Sequence, residues 1–234
     1  ASLGITEVAV YQKPPVAVLS TGDELVDWQC QTLPLGKIRD CNGPAIMTMT
    51  QNYQGVADYG GIVADDYPLL KKTALALLAN HDILVLSGGS SVGARDYTTQ
   101  LLQELGSGQL LVEGIAIQPG KPTLLANVQG KAVLGLPGHP VSAINIFALL
   151  GKRLLYHFSG EKNRLEESQV KPVVSGRLTQ NIPSQPGRTD VIRVEISKNA
   201  DDQVKVTPVW GRSGLLRSLR DAQGVLMVSA EQEG

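Results

Sequence analysis

Aromatic residues are scarce in this chain: two Phe, two Trp and six Tyr among 234 residues. Its core must therefore be mainly Val, Leu, Ile and Ala, and the hydrophobic fraction of 42% is ample for that. Cysteine is nearly missing. Cys30 and Cys41 do not form a close metal-binding pair, and one possible bridge is no disulfide framework. Both read as packing residues, and a reducing cytoplasm is the expected compartment. No apolar run approaches the roughly 20 residues that span a bilayer, so no membrane partner is expected. Basic blocks are absent too, and the formal net charge is −1. Neutralising a phosphate backbone takes clustered Lys and Arg, which argues against nucleic acid as the main partner.

What the chain does have is a repeating succession of buried strands and helices, organised around residues 83–93. Ile83, Leu84, Val85 and Leu86 run without alternation, as in a strand buried on both faces of a parallel sheet. The run breaks into Ser87, Gly88, Gly89, Ser90, Ser91 and Gly93. These glycines permit positive φ and close approach of a ligand, and the serines add hydroxyl donors. A helix over residues 97–105 follows, opened by Asp96. Such a loop, between a buried strand and a helix N-terminus, is where open α/β sheets take anionic ligands; a tight turn with nothing bound is the plain alternative.

On either side the pattern repeats. Residues 7–11 read as a strand end without an obvious partner, and residues 16–20 as a buried strand. A helix is expected over 44–57 with Asp40 or Asn42 as its N-cap. Gly60 and Gly61 end that unit, and a short strand at 62–64 leads to Asp65 and Asp66. A helix follows with Pro68 in its first turn. Beyond the central loop come a strand over 110–117, a hairpin over 123–136 and a long helix over 141–158. The expected fold is α/β, a three-layer sandwich with a mainly parallel sheet. After Gly160 helix signals fade. Strands near 173–174, 191–196, 204–207 and 225–228 suggest a small all-β C-terminal domain resembling a barrel. The expected division is a remnant of a preceding domain at 1–13, the α/β domain at 14–160, a linker at 161–169 and the β domain at 170–234.

Several loops should share the carboxyl rim of the sheet: Asp23 and Glu24; Asp65 and Asp66; residues 87–96; Lys121; and residues 137–140. Each carboxylate alone is more simply a solvated residue or a helix cap. Gathered beside phosphate-type loops, they call for a hard cation such as magnesium. Lys121, between Gly120 and Pro122, suits a point-charge anchor for phosphate or another oxyanion. His139, at a helix start with no nucleophile beside it, reads as a polar cap.

Four motifs in order, Thr21-Gly22-Asp23-Glu24-Leu25, residues 87–93, Pro119-Gly120-Lys121-Pro122 and residues 135–140, resemble the MoeA family of molybdopterin molybdenumtransferases, similar also to the gephyrin E domain. The resemblance runs from about residue 14 to 160, and the β-rich tail is similar to the family's C-terminal domain. It implies a transferase of molybdenum cofactor biosynthesis. Such an enzyme inserts molybdate into adenylylated molybdopterin and releases AMP, with Mg²⁺ as cofactor. By this resemblance Glu24, Asp65 and Asp96 are the acidic, metal-holding site residues and join Lys121 as the catalytic set. The resemblance places Thr21, Gly22, Ser87, Gly88, Gly89, Ser90, Ser91 and Gly93 on the cofactor-binding rim. It adds Gly120, Pro137, Gly138 and Pro140 on the pterin-phosphate and molybdate side, and Arg193 and Ser213 at the domain junction. Two positions depart: the family usually carries lysine where Gln118 stands and asparagine where His139 stands. The resemblance further implies the C-terminal half of a longer protein that works as a homodimer, with molybdopterin adenylyltransferase as a partner. A molybdopterin adenylyltransferase and a non-catalytic pterin-binding scaffold are the alternative readings.

Overall fold

The structure is a computed structural model, and it describes residues 2–88, 92–105, 110–161, 174–199, 201–211, 214 and 216–233, with side chains of the third helix described from 97 onward. In chain order the elements are β1 (Pro15–Thr21), β2 (Leu25–Val26), β3 (Ile38–Arg39), α1 (Asn42–Asn52), β4 (Val56–Val63), α2 (Tyr67–Asn80), β5 (Ile83–Gly88) and α3 (Val92–Leu105). Then come β6 (Leu110–Glu113), β7 (Ile117–Gln118), β8 (Leu124–Val128), β9 (Lys131–Leu136), α4 (Pro140–Ile146), a π-helical segment (Phe147–Gly151) and α5 (Lys152–Phe158). The chain closes with β10 (Arg177–Leu178), β11 (Thr189–Lys198), β12 (Val204–Pro208), α6 (Arg217–Asp221) and β13 (Gly224–Val228).

The unalternating apolar runs become the middle of a sheet ordered β4-β1-β5-β9-β8-β6. β4, β1, β5 and β9 are parallel to one another, and β8 is antiparallel to both β9 and β6. Strand side chains alternate between faces. Ala17, Leu19, Leu84 and Leu86 therefore pack with Leu70, Ala74 and Leu78 of α2 and Leu101 and Leu102 of α3. Val16, Val18, Ile83 and Val85 pack on the other side with Ile46 of α1 and with Ala143, Ile146, Phe147 and Leu155. Helices thus cover both faces, and the expected three-layer α/β sandwich is what forms.

From β1 the chain passes through α1 to β4 on one side, then through α2 to β5 on the other. The carboxyl ends of β1 and β5 flank that reversal, where open α/β sheets form a crevice. β6 runs antiparallel to β8, which runs antiparallel to β9, so the loop after β6 reaches the same rim.

Several expected boundaries shift. Residues 7–11 carry no strand, because β4 and β5 already occupy both edges of β1, and Val8 and Val10 stay exposed. α1 ends at Asn52, and β4 begins at Val56 and runs through Gly60 and Gly61. These glycines do not end the unit: the β1–β4 register shifts beside them, and Gly61 has φ +89°. The strand expected over 110–117 breaks at Gly114, φ +79°, whose N–H donates to the Thr123 carbonyl. The helix expected from 97 already begins at Val92.

The C-terminal part is a sheet ordered β10-β12-β11-β13, so a small all-β domain does follow the sandwich. Val174 carries no strand and residue 173 lies outside the described residues, as does most of the expected linker. β7 leaves the first sheet and pairs in parallel with β11, Ile117 opposite Thr189 and Gln118 opposite Asp190. Among the described residues no helix is long and apolar enough to cross a membrane.

Candidate functional site

The rim begins where β5 meets β1. Gly88 has φ +147°, and a Cβ there would stand 2.1 Å from the Thr21 carbonyl oxygen. Only glycine lets the two strand ends approach so closely. Thr21 is buried, and the N–H of Gly22 donates to the Val63 carbonyl at 3.1 Å, tying the end of β1 to that of β4. Beyond Gly88, the expected phosphate-loop residues Gly89, Ser90 and Ser91 lie outside the described residues. Gly93 and Asp96 fall on the backbone of α3, in the part whose side chains lie outside them.

A cleft of about 190 Å³ opens over the ends of β5 and β9, walled by Gly88, Thr98, Pro122, Pro137, Gly138 and His139. Pro140 starts α4 behind it, as the missing N–H of proline allows at a first helical position. His139 occupies the N-cap position of that helix, but its side chain makes no cap hydrogen bond. The polar-cap reading of this residue is therefore corrected: the side chain borders the cleft instead. Lys121 is exposed on the adjoining loop, where its carbonyl accepts from the N–H of Ile115 at 3.0 Å. Gly120 sits beneath it at φ +140°, against Ile146; a Cβ there would come within 2.4 Å of that side chain.

A second, larger cavity of about 490 Å³ lies between the sandwich and the β domain. Gln118, His139, Arg188, Asp190, Arg193 and Trp210 are among its walls. Arg193 is only 7% exposed, yet its Nε and Nη1 have no hydrogen-bond partner among the described residues. Burial lowers its pKa, since the charged form has lost water without gaining an acceptor. Arg188 Nε and Asp190 Oδ1 stand 3.0 Å apart, close enough for an ion pair but not aligned as a hydrogen bond. Asp190 Oδ2 accepts from Ser184 Oγ at 2.8 Å. Buried donors of the Arg193 kind require an acceptor, which an oxyanion supplies well. Ser213, expected beside Arg193, lies outside the described residues; neighbouring Gly214 comes close to the His139 ring.

On the opposite flank, the N–H of Asp65 donates to Asp23 Oδ1 at 3.0 Å. Burial, then the Asp23 and Glu24 carboxylates, raise the pKa of Asp65. Asp66 does what its bland reading supposed, capping α2 by accepting from the N–H of Leu69 at 2.8 Å. Among the described residues no group of three or more His, Cys, Asp or Glu is placed to hold a metal ion unaided. A magnesium ion held by one or two carboxylates together with substrate phosphate does not need such a group.

Two residues do more than any local pattern marks. Asp40, 2% exposed, accepts from Ser20 Oγ at 2.6 Å, from Tyr59 OH at 2.8 Å and from the N–H groups of Asn42 and Gly43 at 3.0 Å each. Burial, then the bond to Asp40, raise the Tyr59 pKa. Asn42 Nδ2 donates to Ser87 Oγ and to the Gly138 carbonyl, at 2.9 Å each. The N-cap position of α1 falls on Cys41, not on Asp40 or Asn42 as expected. Asp40, one residue ahead, accepts from the first two helical N–H groups, and the two side chains together reach four other segments, which a helix-start pattern cannot reveal. Trp210, one of two tryptophans, walls the junction cavity although no motif in the sequence marks it. Cys30 and Cys41 are free and half-buried, and burial followed by the Asp40 charge raises the Cys41 thiol.

Residues 17–157 match the family described as "Probable molybdopterin binding domain", and residues 175–234 match "MoeA C-terminal region (domain IV)". The chain is 32% identical over 234 residues to the molybdopterin molybdenumtransferase of Haemophilus influenzae, covering 100% of this chain and 56% of that protein. It is 26% identical to the protein of that name from Staphylococcus epidermidis, covering 100% and 54%. Among solved structures, a molybdopterin biosynthesis MoeA protein from Pyrococcus horikoshii superposes with a TM-score of 0.77 at 26% identity, covering 100% of this chain and 54% of that one. A second MoeA structure, from Pyrococcus horikosii, gives 0.75 at 33% identity, covering 94% and 51%. The chain spans about half the length of the curated relatives it matches.

Proposed function

Because this chain belongs to the family described as the probable molybdopterin binding domain, we propose that it is the pterin-binding half of a molybdopterin molybdenumtransferase. Its substrates in this reading are adenylylated molybdopterin and molybdate, and its products the molybdenum-loaded pterin and AMP. The observation that carries the reading is that His139 borders both cavities. The glycine-rich rim at the ends of β5 and β9 is thereby adjacent to a junction where Arg193 has buried donors in need of an anion.

The chain's own groups divide the work. Amides of Gly88 and the loop after it hold the pterin phosphate, with Gly22, whose own N–H is taken by the Val63 carbonyl, shaping the rim beside them. The loops carrying Pro137, Gly138 and Pro140 shape the cleft around it. Lys121 and Arg193 draw in molybdate as point charge and buried fork. Glu24 and Asp65, with Asp96, would hold magnesium; the reading is supported by the Asp65 pKa, raised by burial and then by the Asp23 and Glu24 charges that a cation would offset. When bound, that ion supplies positive charge to the pyrophosphate. Positioning rather than covalent catalysis is the main contribution.

In the full-length protein we place this half in a homodimer, supplied with substrate by a molybdopterin adenylyltransferase. The match of residues 175–234 to a MoeA C-terminal region favours this over an adenylyltransferase function for the chain itself. One observation favours a non-catalytic pterin-binding scaffold: Gln118, not a lysine, borders the junction cavity. Titration calorimetry with molybdopterin, followed by molybdate, separates the readings. Saturable pterin binding, with molybdate binding that is lost in Arg193→Gln, is expected for the transferase half. Pterin binding indifferent to molybdate points to the scaffold. No heat above buffer from a folded sample removes pterin binding altogether.

A further inference from the structure

The chain between β1 and α1 crosses the rim rather than merely joining two elements. Its residues Asp40 and Asn42 are both buried, at 2% and 7% exposure, although they lie in a connection. A buried polar side chain in a loop is expensive unless its bonds are satisfied, and here the bonds fall on separate strands. Asp40 takes Ser20 of β1 and Tyr59 of β4. Asn42 spends both amide hydrogens, one on Ser87 of β5 and one on the Gly138 carbonyl after β9. Three neighbouring strand ends and the middle of β4 are thus tied by two side chains two positions apart.

From this geometry we infer that Asn42 is a positioning residue, a clamp that sets the spacing between the β5 loop and the β9 loop and so the width of the pterin cleft. The inference rests on the pterin-binding reading of that cleft. Asn42 itself is not among the cleft's walls, whereas Gly88, next to its acceptor Ser87, and Gly138, its other acceptor, are. Its amide donates to a carbonyl and to a hydroxyl oxygen together. Aspartate at this position would keep the volume but set an oxygen against the Gly138 carbonyl. Ser87 can rotate to donate to that carboxylate, so only the β9 link is broken. A carboxylate in the first turn of α1 interacts favourably with the helix dipole, but the buried Asp40 carboxylate two residues away opposes it, so stability falls as well. Affinity in Asn42→Asp should therefore fall further than the loss of stability alone accounts for, which a core variant calibrates.

The test compares the parental chain, Asn42→Asp and Leu70→Ala, the last a core variant in α2 whose side chain is 3% exposed and packs on the face of the sheet opposite α1. Melting temperature, molybdopterin affinity by calorimetry and amide exchange over residues 136–139 are measured on each. Expected is a loss of about tenfold in affinity for Asn42→Asp, the worth of one hydrogen bond. Exchange over 136–139 should quicken relative to the β1 core, while Leu70→Ala melts lower yet binds as the parent does. Parental affinity in Asn42→Asp, or affinity that simply tracks melting temperature in both variants, overturns the clamp. If the parent binds no pterin, the functional reading falls by itself; the exchange at 136–139 then decides the clamp, unchanged exchange overturning it. Asn42→Ala replaces the aspartate variant if that one does not fold.

Discussion

Asp65 sits at the carboxyl end of β4 with Asp23 and Glu24 as neighbours, and burial and these charges raise its pKa above the ordinary 3.8. A carboxyl with a raised folded pKa favours the protonated native form. Its contribution to stability is whole below the unfolded value and is lost as pH rises through the folded one. Asp65→Asn should consequently melt like the parent near pH 3 and above it at pH 7, a gap that opens as pH rises past 3.8. Magnesium should narrow that gap by stabilising the parent alone. Thermal melts across this range, with and without the ion, check both statements; a parent that melts above Asp65→Asn at pH 7 without metal contradicts them. At this scale the sequence was a fair guide to residues acting near their own position. Asp66 caps the helix it precedes, and Gly88 and Pro140 stand where the motifs put them. It marked Asn42 only as a candidate helix cap, because the partners Ser87 and Gly138 lie 45 and 96 residues away.

The central strands are elements whose ends must meet, and Gly88 is where β5 meets β1. A methyl group there would be forced to within 2.1 Å of the Thr21 carbonyl oxygen, at a φ of +147° that side chains seldom adopt. Gly88→Ala should destabilise the fold by about 3 kcal/mol, since strain and displaced backbone add. For a chain of this size that is a fall of roughly 6–12 °C in melting temperature. A melt within about 2 °C of the parent would show that the strand ends can separate freely. The apolar runs behind β1, β5 and β9 were legible because burial on both faces leaves no alternation to misread. The ends of elements were harder. Gly60 and Gly61 looked like punctuation, yet β1 accommodates them through a register shift within β4. The long helix over 141–158 forms, but with a π-helical segment, Phe147–Gly151, that no local periodicity marks. β7, two residues long, owes its existence to a partner in another sheet.

At the level of the molecule, two sheets with separate folds meet around one cavity, and the chain accounts for only about half of its relatives' length. The sandwich carries its own two-sided core, so the chain should fold and bind pterin. A cleft completed in the full-length protein by further segments would leave its reacting groups less tightly held here. Molybdate-dependent AMP release from this chain alone is therefore expected to be about a hundredfold or more below that of a full-length relative, and to recover when the missing half is added. Equal rates without the addition would mean that these loops form a complete site. The link between the sheets has another implication, for inheritance. Ile117 and Gln118 grow out of the sandwich yet serve as a strand of the β domain, beside Thr189 and Asp190. The border between the two domains in sequence is therefore not their border in space. A recombination event that exchanged only the tail would strand half of a ladder on each side, so lineages should pass the two domains on as a matched pair rather than as interchangeable cassettes.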